Sequence, residues 1–265
     1  MPVSLRCLIS VLALWSSGAG GSLAGEVMQR VQTGRTLQVC ISPAYHGVSY
    51  RSPRTQELSG IDIDLSAALA KDLGVKLRYV DSNYAKLVDD LNQNRCDIAM
   101  FAIGITAERQ KHLRFSTPYL QSDVYGVTTK ANRVIKSWAD IDKPGIRVAV
   151  PARTFIEPVM AAWLKQAELV VLQAPQSREQ ELESGRVDVF MADYPYSRHW
   201  LATADWARLV SPPAPFHLMP YAYAVKPGDE AWLTRINAFV AKVKKDGRLE
   251  SYAKQHGLSE ILLRN

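Results

Sequence analysis

Short apolar runs alternate along this chain with segments in which apolar residues recur every three or four positions. The runs have the length of buried strands, and the recurrences line one face of a helix. Leu37 to Ile41 is the first such run, followed by a turn-rich segment from Ser42 to Ser59. Gly60 to Leu65, GIDIDL, leads into a helix whose Leu65, Ala68, Leu69 and Leu73 share a face and whose C-cap is Gly74. Val75 to Val80 reads as a strand, and Tyr84, Leu87, Val88 and Leu91 mark the buried side of a second helix. Ile98 to Ile105 is apolar throughout, too short to cross a membrane, and bounded by polar residues, so it predicts a buried parallel strand. The order β-α-β-α-β is that of a parallel sheet with right-handed crossovers.

After Thr117-Pro118-Tyr119 the pattern restarts. Strands are predicted at Val124 to Thr129, Arg147 to Val150, Leu169 to Leu172 and Val187 to Met191, the last ending at Ala192-Asp193. Helices fall between them, one carrying Ile156, Val159, Met160, Trp163 and Leu164, the other at Ser177 to Ser184, while Val134 to Gly145 reads as a connecting loop. A loop with Pro212, Pro213 and Pro215 precedes a late strand, Tyr221 to Val225, and a final helix with Leu233, Ile236, Val240 and Val243 closes at Gly247. No Gly/Ser linker separates the two blocks. That predicts lobes sharing crossover strands, residues 25–120 plus 221–265 in lobe 1 and 121–220 in lobe 2, with a ligand cleft between them.

The extreme N-terminus does not belong to this pattern. Arg6, the apolar core Cys7 to Trp15 and the small residues Ser22-Leu23-Ala24 form a secretory signal over residues 1–24, since a spanning helix needs about 20 apolar residues. The expected destination is the periplasm, with a soluble mature protein. The formal charge of +6 is spread over separate clusters, without the basic, aromatic-lined stripe of a nucleic-acid binder, and fits anionic ligands or an acidic partner surface. His46, His112, His199, His217 and His256 are scattered without metal-ligand spacing, so neither a metal site nor a cofactor is expected. Export permits a disulfide between Cys40 and Cys96. Cys40 lies late in one strand, however, and Cys96 just before another; parallel neighbours would hold them at opposite ends, which favours buried free thiols.

The chemistry concentrates where the Ile98 strand ends. Thr106 stands at a helix N-cap position with Glu108 and Arg109 in the first turn, so the strand delivers a guanidinium to the rim where open α/β sheets bind ligands. A guanidinium is a rigid fork of donors for a carboxylate. From position alone, Arg109 would read as a surface arginine paired with a helix glutamate.

The motifs change that balance. GIDIDL, the run CDIAMFAIGITAERQKHLRFSTPY from Cys96 to Tyr119, RVAVPARTFIE from Arg147 to Glu157 and SGRVDVFMADYP from Ser184 to Pro195 stand in an order and spacing that resemble the bacterial extracellular solute-binding proteins of family 3, over about Leu37 to Leu258. The resemblance implies an α/β, two-lobed, type II periplasmic-binding fold, each lobe a mainly parallel sheet flanked by helices, hinged by two crossover segments. It implies a monomeric, non-enzymatic protein that captures an amino-acid-like or anionic solute and presents it to the permease of an ABC transporter. On matching positions, Arg109 would clamp the ligand carboxylate and Asp193 would take an ammonium. Tyr45 and Tyr84 would wall in the side chain, and Thr154 would add a hydroxyl and backbone contact.

Departures from the family pattern bear on specificity. Ser42 stands where many members have an acid, and Ala102 and Gly104 occupy positions that often serve the ligand amine, although Gly104 has no hydroxyl to offer. Arg153 replaces a glycine before Thr154, and Phe155 follows; an inward Arg153 would favour an anionic ligand. The chain is also similar to periplasmic cyclohexadienyl dehydratases from Gly60 to Tyr119. Where their acidic proton donor is expected, this sequence has Tyr194, Pro195 and Tyr196, and Glu157 at a helix start is a weak substitute. A third alternative is an accessory protein of a periplasmic quinoprotein dehydrogenase that meets a protein rather than a solute.

Overall fold

The computed structural model describes residues 25–173 and 176–264; the expected signal segment, 1–24, lies outside them. Helix α1 (Glu26–Gly34) leads into β1 (Thr36–Ile41). The turn-rich segment that follows folds into a small antiparallel sheet of β2 (Ala44–Tyr45), β3 (Ser49–Arg51) and β4 (Leu58–Ser59). Next come α2 (Ile61–Leu73), β5 (Lys76–Asp81), α3 (Leu87–Asn92), β6 (Ile98–Gly104), α4 (Ala107–His112), β7 (Arg114–Phe115) and β8 (Leu120–Ser122). The chain then builds β9 (Val124–Thr129), β10 (Arg147–Pro151), α5 (Ile156–Trp163), β11 (Glu168–Leu172), α6 (Arg178–Glu183), β12 (Val189–Asp193), α7 (Tyr194–Thr203) and β13 (Ala207–Val210). It returns through β14 (Met219–Val225) and ends on α8 (Glu230–Lys245) and α9 (Arg248–Gln255).

Two sheets carry the molecule. The first has the order β5-β1-β6-β14-β7, with β8 on β14; β5, β1 and β6 run parallel, and β14 joins β6 antiparallel. The second has the order β11-β10-β12-β9-β13, parallel through β12 and antiparallel from β9 onward. Both sheets therefore begin as the parallel βαβ blocks that the sequence pattern predicts and finish with antiparallel strands donated across the crossovers. β6 is buried at every position, as its apolar run requires.

The chain passes between the sheets twice, at Asp123 and again between β13 and β14. Asp123 pins the two passages together: its carboxylate accepts the N–H groups of Val124 at 2.7 Å, Phe216 at 2.8 Å and His217 at 2.7 Å. A carboxylate that takes several backbone donors is held in one rotamer, so it fixes the two crossovers beside each other.

The cysteines correct the expectation of free thiols. Cys40 and Cys96 are disulfide-bonded with α-carbons 5.6 Å apart. The reason is register. β6 enters beside the second half of β1, with Val39 opposite Ile98 and Cys40 opposite Ala99, so the bend that carries Cys96 lies beside Cys40 instead of at the far end of the strand. Both cysteines join Leu87 and Leu91 of α3 in one buried cluster. Among the elements that escaped the sequence reading are α1, β7, β8, α7, β13 and α9, of which α1 and α9 are short amphipathic helices defined by their packing.

Candidate functional site

The site is built at the carboxyl ends of β1, β6 and β12, where the sheets face each other. The Thr106 hydroxyl accepts the Arg109 N–H at 3.2 Å, which caps α4 and fixes Arg109 above the end of β6. One guanidinium nitrogen donates to the Gly104 carbonyl at 2.9 Å, and the other to the Arg153 carbonyl, from the opposite lobe, at 3.3 Å. The group packs over the Tyr84 ring, 5.0 Å from its centroid. Arg109 is only 9% exposed, and among the described residues no carboxylate forms an ion pair with it. Burial pulls its pKa down from the usual arginine value, while the Tyr84 and Tyr221 hydroxyls act in the other direction. A buried cation held by carbonyl dipoles and an aromatic face, without a countercharge, has strong electrostatic affinity for an anion.

Asp193 occupies the opposite wall. It ends β12 and caps α7, accepting the Tyr196 N–H at 3.3 Å, with Pro195 in the helix's first turn. The same carboxylate accepts the hydroxyl of Tyr221 at 2.7 Å and that of Tyr45. Cap and cleft acid are thus one residue. Burial, then the charge of Asp193, pushes the hydroxyl pKa of Tyr45 and of Tyr221 well up, so both stay protonated donors at neutral pH.

The remaining sequence-predicted residues surround this axis. Tyr84 is half-buried under Arg109, with its hydroxyl 3.4 Å from the Phe101 carbonyl. Ser42 acts through its carbonyl, which accepts the Tyr45 N–H at 3.1 Å and the Ser49 hydroxyl at 2.8 Å and so braces the Tyr45 loop. Thr154 turns its hydroxyl onto the Pro151 carbonyl at 2.9 Å, and Phe155 is buried edge-on to Tyr221, with centroids 6.2 Å apart. A Cβ at Gly104 would come within 2.9 Å of the Met219 side chain, which would have to shift to admit one.

Ala102 and Arg153 share a backbone feature. Both have positive φ, 49° and 65°, in the left-handed region. At Arg153 this is the conformation a glycine holds without strain, and the arginine side chain is exposed; what it gives the cleft is its carbonyl. At Ala102 the bent strand is held by Asp62, whose carboxylate accepts the Ala102 N–H at 2.9 Å and the Tyr119 hydroxyl at 2.6 Å.

Sequence reasoning missed Tyr221, Asp62 and a pair of imidazoles. Tyr221 was legible only as an alternating position in a late strand. Asp62 was legible as an acid inside an apolar signature; it is fully buried, and burial raises its carboxyl to about 7. His46 and His199, from opposite lobes, stack with centroids 3.4 Å apart at 7°, a contact without any sequence signal.

This two-lobed α/β arrangement, two sheets joined by two crossovers with the candidate residues at strand ends, defines a type II periplasmic-binding fold. The chain belongs to the bacterial extracellular solute-binding proteins, family 3, whose model matches residues 37–259. It is 30% identical to a cyclohexadienyl dehydratase of Pseudomonas aeruginosa over 94% of this chain and 93% of that protein. It is 25% identical to the L-cystine-binding protein TcyJ of Escherichia coli, over 93% and 92%. Among solved structures, an ancestral amino acid-binding protein, AncCDT-1, described as a precursor of cyclohexadienyl dehydratase, superposes with a TM-score of 0.78 at 30% identity, covering 86% of this chain and 97% of that one.

Proposed function

We propose that this protein is an exported, monomeric receptor that captures a small carboxylate-bearing, amino-acid-like solute between its two lobes and delivers it to the permease of an ABC transporter in the inner membrane. The observation that carries the reading is Arg109: a buried guanidinium at the lobe junction, without an anionic partner among the described residues, held by carbonyls of both lobes. A ligand carboxylate supplies the missing charge and completes the fork. Arg109, Asp193, Tyr45 and Tyr84 form the ligand-facing set, with Tyr221 and Phe155 beside them and the backbones of Ser42, Ala102, Gly104, Arg153 and Thr154 shaping the walls. The amino-acid-binding relatives support the solute class, and binding requires only that the closed state hold the ligand better than the open one. Mass spectrometry of small molecules released from the natively purified protein tests it: a stoichiometric carboxylic acid is expected, and a protein that releases none and binds none would refute it.

A second reading, an enzyme of the cyclohexadienyl dehydratase kind, is favoured by the 30% identity to the Pseudomonas aeruginosa protein. Dehydration needs a proton donor at the leaving hydroxyl. The tyrosines lining this cleft have pKa values pushed up by burial, which weakens them as acids, and Glu157 is engaged by the Arg153 N–H at 2.7 Å. The binding reading therefore stands first. Turnover of prephenate or arogenate by the purified protein would reverse that order.

A further inference from the structure

The GIDIDL signature places Asp62 inside the first lobe, behind the strand that carries the site. It is completely buried, and among the described residues no cation forms an ion pair with it. One oxygen accepts the Ala102 N–H at 2.9 Å and the Tyr119 hydroxyl at 2.6 Å. The other oxygen and the Tyr223 hydroxyl are buried without a hydrogen-bond partner among the described residues. Tyr119, just before β8, and Tyr223, on β14, face the carboxyl, while Tyr79 on β5 and Tyr84 ahead of α3 feel its charge. Burial without a countercharge disfavours the carboxylate and raises this group to about 7.

Asp62 grips an irregular stretch of β6. Along β14, Ala222 pairs with Ile103 and Ala224 with Ala99, so Met100, Phe101 and Ala102 stand against Tyr223 alone. Ala102 sits in that bulge at a φ of 49°. Bulges re-aim backbone groups beside binding sites. Here the peptide joining Phe101 to Ala102 turns its N–H to Asp62, and its carbonyl, trans to that N–H, points the other way, 3.4 Å from the Tyr84 hydroxyl. The Tyr84 ring supports Arg109, and two residues beyond Ala102 the Gly104 carbonyl takes the Arg109 guanidinium at 2.9 Å. With no acceptor at position 62, the Ala102 N–H would be buried unsatisfied and this peptide would lose its anchor.

Resting on the carboxylate-clamp reading above, we propose that Asp62 is a positioning residue for ligand binding: by holding the Ala102 N–H it fixes the β6 bulge so that Tyr84 and the Gly104 carbonyl seat Arg109 in the cleft. The first test needs no ligand. In 15N–1H spectra of the mature protein, the amides of Ala102 and Gly104 and the Arg109 Nε–H should titrate together with a midpoint near pH 7, and Asp62→Asn should abolish the titration at all three. Movement of Ala102 alone, with Arg109 still, would overturn the inference. The second test is calorimetric titration, below that midpoint, with whichever of L-arginine, L-glutamine, L-glutamate and L-phenylalanine the native protein binds tightest. Asparagine keeps one oxygen for Ala102 and Tyr119 and turns a donor to Tyr223, as the neutral acid does, so Asp62→Asn should bind within about threefold of native. Folded Asp62→Ala should bind about tenfold or more weakly, the scale of one hydrogen bond to a charged group. Native affinity in Asp62→Ala, or equal losses in both variants, would overturn the inference, and the spectra decide the link whether or not any of the four amino acids binds. Native affinity in a folded Arg109→Ala would instead overturn the clamp reading, leaving the titration to show that Asp62 acts on Arg109.

Discussion

Asp62 shows how one buried residue shapes the site without facing it. One of its oxygens takes Ala102 and Tyr119, while the other oxygen and the nearby Tyr223 hydroxyl have no hydrogen-bond partner among the described residues. Its carboxyl is raised from 3.8 to about 7, chiefly by burial. The protonated form is thus favoured in the folded state, so the contribution to stability is complete below about pH 4 and is lost as pH rises to about 7. The loss is on the order of 4 kcal/mol for a rigid site. Asp62→Asn, which cannot ionise, should become progressively more stable relative to the native chain between those limits in urea unfolding. A difference independent of pH would contradict this. Arg153 makes a separate prediction, since a non-glycine residue at positive φ costs about 1 kcal/mol. Arg153→Gly should raise unfolding free energy by about 0.5–1 kcal/mol in the same assay.

At the scale of elements, β6 and α4 were readable because each rests on local rules. An unbroken apolar run makes a strand buried on both faces, and a threonine three residues before Arg109 makes a cap. From those two facts the placement of Arg109 follows. Asp193 was readable at the end of its strand, but not its double use, because Tyr45 and Tyr221 reach it from positions 148 and 28 residues away in sequence. The disulfide was misjudged for the same reason: the stagger of β6 against β1 is a tertiary property that strand prediction leaves open. That bridge closes a loop across a sequence separation of 56 and sits wholly inside a buried cluster. Replacing both cysteines by alanine should cost about 2–4 kcal/mol in denaturant unfolding, and an unchanged midpoint would show that the bridge adds nothing.

For the molecule as a whole, the contacts that join the lobes determine how closure responds to conditions. Tyr45 on Asp193, Arg109 on the Arg153 carbonyl and His46 on His199 all span the cleft. The stack makes His46 harder to protonate: it is reduced from 6.5 to about 4, first by burial and then by His199, with Glu179 pulling the other way. His199 is lowered too, chiefly by burial. Closed molecules hold these rings neutral, so as pH falls from about 6.5 toward 4 the open form gains protons that the closed form refuses. Small-angle scattering of the native protein should show expansion across that window. His199→Ala should flatten the response, and an identical pH profile would place the opening elsewhere. Asp123 ties both crossovers by backbone hydrogen bonds.

The central claim is that a buried guanidinium at the lobe junction, with no ion-pair partner among the described residues, holds a ligand carboxylate. Its most direct test is calorimetric titration of the native protein and of Arg109→Ala with the acid released from the natively purified material, with thermal unfolding run alongside to establish that the variant is folded. Truncating one member of a buried charged pair predicts that affinity falls at least about a hundredfold in the folded variant. Equal affinity of a folded Arg109→Ala for the same acid would contradict it.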